Sequence, residues 1–175
     1  MPLAHSAKQN FGVGSAREED GAQSMSGDER FLAPDDPLVR AISKRRNPLR
    51  RGRSEERVLP PLEVLDWWEH PGEEGRTTPT GLVAVPRQLV ITTQRILVLR
   101  DGSVERSVAM AWIGGAAIKD PSELPLEDSE RAVLVHSGGE QPDVWGCWSM
   151  ATEEAERLMA DIFQLSHSLP LRSVS

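Results

Sequence analysis

Residues 88–110 read QLVITTQRILVLRDGSVERSVAM, a succession of short β-type runs. Gln88 to Thr92 and Arg95 to Arg100 are runs of Leu, Val and Ile too short for helices, separated by a tight Thr93–Gln94 connection. Asp101-Gly102 follows, a pair that favours a two-residue hairpin turn because both positions tolerate positive φ. Val104 to Met110 then returns as the next strand. Three consecutive antiparallel strands make a meander, which needs further strands or a helix to bury its apolar face.

The flanks supply both. Upstream, Gly81 to Val85 reads as a short strand after a Pro-, Gly- and Glu-rich loop. Before that loop, Leu62 to His70 (LEVLDWWEH) is bounded by Pro60, Pro61, Pro71 and Gly72, and reads as a short strand or helical turn docked on the body. Adjacent Trp67 and Trp68 point opposite ways if it is a strand. Downstream, Ile113 to Lys119 is a strand in which Gly114-Gly115 predicts a bulge or bend. Ala132 to His136 and Val144 to Ser149 form a last hairpin through Gly138 and Gly139. Thr152 then opens a helix: Glu153 and Glu154 suit its positive end, and Ala155, Leu158, Met159 and Ile162 follow helical spacing toward His167. The expectation is a mainly β domain over 79–168, a curled antiparallel sheet of seven strands closed by one C-terminal α-helix, with 58–78 as a docking segment and 169–175 as a tail.

Charge divides the remaining sequence. Met1 to Val39 carries 3 basic and 7 acidic residues, Arg40 to Arg57 carries 8 basic and 2 acidic, and Val58 to Ser175 carries 9 basic and 18 acidic. A basic ribbon therefore joins an acidic arm to an acidic body, and affinity for anionic surfaces is expected in the ribbon alone. Residues 1–57 are rich in Ser, Gly, Pro and charge, a composition that predicts a disordered arm. Within it, Asp36 can cap a short helix with Pro37 at its first position, and Leu38, Val39, Ala41 and Ile42 precede Lys44, Arg45 and Arg46. So short a helix folds only against a partner, a membrane surface or its own domain.

The run Leu89 to Leu99, with Thr92 and Arg95 at its hairpin, resembles the second and third strands of pleckstrin-homology-like and GRAM domains, especially the bacterial type. The strand from Val108 to Ile113 running into Gly114-Gly115, and the terminal amphipathic helix, agree with this. The resemblance implies a small barrel capped by the helix, with Thr92 and Arg95 as turn-fixing residues. It also implies that a phosphoinositide headgroup would be met by basic residues in the first strand-to-strand loop. Here that region, Val85 to Arg87, offers only Arg87.

Chemistry-bearing patterns are sparse. His136, Asp143 and Cys147 can be drawn as a nucleophilic set on the last hairpin, but a lone Cys beside tryptophans reads as a small core residue. Single Cys147 excludes an intramolecular disulfide, and nothing near Met1 resembles a secretory leader, so a reducing, cytoplasmic location is expected. His5, His70, His136 and His167 lack metal-site spacing, no phosphate-binding glycine loop is present, and the acidic loop Asp120 to Glu130 does not match a calcium loop; no metal or cofactor is expected.

Two sets of residues remain as candidate contacts. Trp67, Trp68, Trp145 and Trp148 could mark a partner-binding surface, Trp145 and Trp148 lying on opposite faces of a strand unless Gly146 introduces a bulge. Lys44, Arg45, Arg46, Arg50, Arg51 and Arg53 could meet an anionic surface, act as a nuclear address, contact RNA, or simply be a charged linker. With no aromatic interleaved, nucleic acid is the weaker partner. The sequence thus leads to a non-enzymatic adaptor or scaffold module that binds a protein and takes no small-molecule substrate, with peripheral binding to anionic lipid through the basic arm as the alternative.

Overall fold

The structure, a computed structural model, describes residues 29–44, 55–119, 124–140 and 143–167. It is mainly β. Strands β1 (Leu62–Trp68), β3 (Val83–Ile91), β4 (Arg95–Arg100), β5 (Ser103–Ala109), β6 (Ile113–Lys119), β7 (Glu130–Ser137) and β8 (Val144–Ala151) form one antiparallel sheet in the order β5-β4-β3-β1-β8-β7-β6. A two-residue strand, β2 (Arg76–Thr77), pairs with β3 beside this path. Helix α1 (Pro37–Lys44) precedes the sheet and α2 (Thr152–His167) follows it.

The local rules read from sequence operate as expected in the meander. Asp101 (φ 48°) and Gly102 (φ 73°) both take the left-handed conformation that a two-residue hairpin needs. Thr92 Oγ1 accepts the main-chain N–H of Arg95 (2.9 Å) and of Gln94 (3.1 Å), tying the β3–β4 turn. The strands expected at Gly81 to Val85 and Gln88 to Thr92 are one continuous β3. Pro86 is tolerated within it because the β4 ladder begins only at Gln88, so the β4 side of the strand is unpaired at that point. Most of the segment Leu62 to His70 is a true strand, β1 (Leu62–Trp68), inserted between β3 and β8.

The expected curled antiparallel sheet with its C-terminal helix is present, and the sheet does not close on itself. The β5–β6 connection is a single 3₁₀ turn, Met110–Trp112, which redirects the chain instead of folding it into a hairpin. Strands β5 and β6 are therefore both edges. Helix α2 covers the inner face beside β6, β7 and β8, and Ala155, Leu158, Ile162 and Leu165 share one core with Leu62, Val64, Leu89, Ile91, Ile96 and Val98. Gly114 sits at the expected irregularity, where the β6–β7 register shifts. A Cβ there would fall 2.8 Å from the Gly138 Cα, so only glycine allows the two backbones to approach.

The N-terminal boundary also moves. Asp36 Oδ1 accepts the Leu38 N–H (2.8 Å), the cap read from sequence, but α1 is not part of a free arm. Val39 and Ile42 are buried against Val58, Val90, Leu97 and Leu99 on the outer face of the β3–β4 hairpin. Arg95 fastens the helix by donating to the Ile42 carbonyl (3.4 Å) and to Glu56 (2.9 Å). Phe31 packs on the main core under the Arg57 guanidinium, 4.3 Å from its ring centroid, and Arg30 donates to Gln164 (2.6 Å) on α2. Residues 29–44 thus belong to the domain, which the expected arm over 1–57 did not include.

Candidate protein-binding face

The four tryptophans chosen from sequence do not form one surface. Trp67 lies on the outer face of β1, wholly buried among Ala84, Ala132, Leu134 and Cys147, with its indole N–H donated to Ser149 Oγ (3.0 Å). Trp148 is wholly buried in the main core. Neither can meet a partner. Trp68 and Trp145 are half-buried beside the Arg106 guanidinium, at 4.4 and 5.5 Å from their ring centroids. A register shift in the β7–β8 pairing places one extra residue in β8 at Trp145, so Trp145 and Trp148 touch edge to face at 5.8 Å instead of pointing apart. The Trp148 ring lies over Gly146, where a Cβ would be 2.6 Å from Cη2.

Arg106 belongs to a polar network inside the sheet. It donates to Asp66 Oδ1 (2.8 Å), and Asp66 is fully buried. His70 donates from Nε2 to the Asp66 carbonyl (3.2 Å); Asp66 Oδ2 is equally near that nitrogen but receives no aligned hydrogen bond. Arg87, also buried, is held between Glu105 (2.8 Å) and Glu73 (2.7 Å). Burial pushes the Asp66 carboxyl above its ordinary range against the pull of Arg106 and His70, while hydrogen bonding from Arg87 holds Glu105 and Glu73 below theirs. Ligand atoms of Asp66, His70 and Glu105 come within 4.8 Å of one another, the spacing of a metal site. Two guanidiniums already balance those carboxylates, so the cluster reads as an internal ion network that fixes strand positions.

Cys147 is buried beside Trp67, and its thiol is pushed up to about 12 by desolvation and then by the Asp66 carboxylate. It is fully protonated at neutral pH and unsuited to nucleophilic attack. Lys44 ends α1 on the surface; Arg45, Arg46, Arg50, Arg51 and Arg53 lie outside the described residues.

The exposed apolar face lies elsewhere, along the β6 edge. Trp112, at the end of the 3₁₀ turn, is 68% exposed, and Phe163 on α2 is 64% exposed; Ile118 is also exposed. Between β6 and α2 runs a groove of about 420 Å³, with Ile113 to Ala116 on one side and Met159, Ile162 and Phe163 on the other. The last turn of α2 is tied down around Phe163: His167 Nδ1 donates to its carbonyl (2.8 Å) and the two rings stack at 4.1 Å. Sequence reading missed this face because it weighed tryptophans in strands, whereas Trp112 sits in a turn and Phe163 lies off the buried stripe of α2. The available signal was the absence of charge from Ile113 to Ile118.

Compared with known proteins, the chain matches no family model and no curated protein. Among the described residues no helix is long and apolar enough to cross a membrane.

Proposed function

We propose that this chain is a non-catalytic binding module, an adaptor or scaffold subunit that engages a protein through the face between β6 and α2. One observation carries this reading: Phe163, on the wall of a largely apolar groove, and Trp112, adjacent in sequence to its Ile113 floor, both stand exposed on an otherwise acidic body. Leaving them in water opposes solubility unless a partner covers them. The meander, the glycine bulge and the terminal helix also support reading the domain as pleckstrin-homology-like or GRAM-like, and the buried, protonated Cys147 suits a reducing, cytoplasmic compartment.

The test is selection of a random linear peptide library on the full chain. Recovered peptides bind the native chain and lose at least about tenfold in affinity on Phe163→Asp or Trp112→Ala, with circular dichroism unchanged. Peptides indifferent to both substitutions would remove the reading.

Contact with an anionic membrane is the second reading, and one observation favours it. Arg95 joins the end of α1 to Glu56, and Thr93 accepts the Arg57 N–H (3.1 Å), so both ends of the arginine-rich segment are fixed at the β3–β4 hairpin. Insertion of α1 is not part of it, since Val39 and Ile42 are spent on the sheet. Co-sedimentation with anionic and neutral vesicles at low and physiological salt decides: binding to anionic vesicles alone that weakens as salt rises and is lost when the arm is deleted would favour lipid.

A further inference from the structure

We infer that the partner binds as an extended segment that adds a strand to the free edge of β6 and lays alternate apolar side chains into the groove beside α2. This rests on the reading that the β6–α2 face binds protein, and it specifies the conformation and chemistry of what binds there.

The two sheet edges differ in a way that sheet stability alone does not require. Edge strands are ordinarily guarded by charge, proline or irregularity, because an open row of N–H and C=O groups recruits other chains. Both edges carry a register shift, β6 at Gly114, but only β5 is guarded by charge along its length, with Glu105 and Arg106. Strand β6 reads Ile-Gly-Gly-Ala-Ala-Ile-Lys, with no charge before its last residue and no proline. Among the described residues its only ladder is with β7. Gly114, Gly115 and Ala117 are exposed and carry little or no side chain, so the backbone edge is accessible to another strand.

The groove fixes what that strand must look like. Successive residues of an added strand face opposite ways, so every second side chain would meet Met159, Ile162 and Phe163. Ser166 and His167 line the groove at the end of α2, but neither these walls nor the β6 floor from Ile113 to Ala116 holds a carboxylate, Lys or Arg, so a charged side chain laid between Met159 and Ala116 would be buried without a close counter-ion. The complement is therefore an uncharged segment with apolar residues at alternate positions, about as long as the seven residues of β6. A bound helix would cover the aromatic side chains but leave the edge N–H and C=O groups buried and unpaired.

The experiment takes a peptide recovered from the linear library and methylates its backbone amides one at a time. Strand addition predicts that alternate N-methylations each lower affinity about tenfold or more, while those between are tolerated, and that Phe163→Asp and Trp112→Ala both weaken binding. Sensitivity at i, i+3 and i+4 side chains with no alternation among amides would overturn the strand while leaving the binding face in place. Binding indifferent to both substitutions would overturn face and strand together. Recovery of no peptide, with a dimer in sedimentation velocity that Phe163→Asp dissociates, would make a second copy of this chain the occupant and overturn the proposal.

Discussion

Replacing Ile42 by Ala tests whether the N-terminal helix is structure or arm. Ile42 is 3% exposed, and its side chain is enclosed by Val58, Val90, Leu97 and Leu99 on the outer face of the sheet. Truncating a buried Ile to Ala costs about 2–5 kcal/mol, and this site belongs at the low end because an eight-residue helix can settle into part of the space. We expect about 2–3 kcal/mol, which for a chain of this size lowers Tm by about 4–12 °C. Arg40→Ala, on the exposed side of the same helix, is the control and should move Tm by less than about 2 °C. Differential scanning calorimetry on the full chain reads both. Equal and negligible shifts for the two variants would refute the docking of α1 and restore residues 1–57 as an independent arm. A chain beginning at Val58 should melt well below one beginning at Glu29.

Three further outcomes follow from the interior. Gly146→Ala puts a methyl group into the Trp148 ring and should cost about 1–3 kcal/mol, with a changed near-ultraviolet circular dichroism signal; an unchanged Tm and spectrum would mean the ring does not lie over that position. Because burial holds the Asp66 carboxyl above its ordinary 3.8, the folded chain keeps that proton more tightly than the unfolded one. The resulting stabilisation is complete below that value and is lost as pH rises through the folded pKa, so Tm of Asp66→Asn minus Tm of the native chain should increase with pH over that range; a decrease would show that Arg106 outweighs burial. Cys147, with its thiol raised to about 12, should resist iodoacetamide at pH 8 in the folded chain and react on denaturation; rapid native alkylation would contradict its burial.

Much of the β framework was legible because it is written locally. Asp101-Gly102 dictates its hairpin, the Gly114-Gly115 pair marks the register shift, and Thr152 with the spacing of Ala155, Leu158 and Ile162 defines α2. What escaped depends on contacts distant in sequence. Val39 and Ile42 read as the apolar side of a short helix that could fold on a partner, a membrane or its own domain, and the choice is made only when Leu97 and Leu99 are seen to give the hairpin an apolar outer face. The alternation rule sent Trp145 and Trp148 apart, and one extra residue in β8 brought them together. Asp66 gave no sign in LEVLDWW that its partner would be Arg106, forty positions away on the edge of the meander. The candidate face was hidden for the same reason: it exists only because β5 and β6 do not pair, and no local pattern states which strands of a curled sheet stay open.

Docking of a protein segment between β6 and α2 is tested by a map of backbone amide chemical shifts on the full chain as a selected peptide is added. The shifted amides should cluster from Ile113 to Ile118 and from Met159 to His167, leaving the β3–β4 hairpin and α1 unmoved. Shifts centred on the β3–β4 hairpin or around Arg87 and Arg106, with β6 and α2 silent, would contradict it.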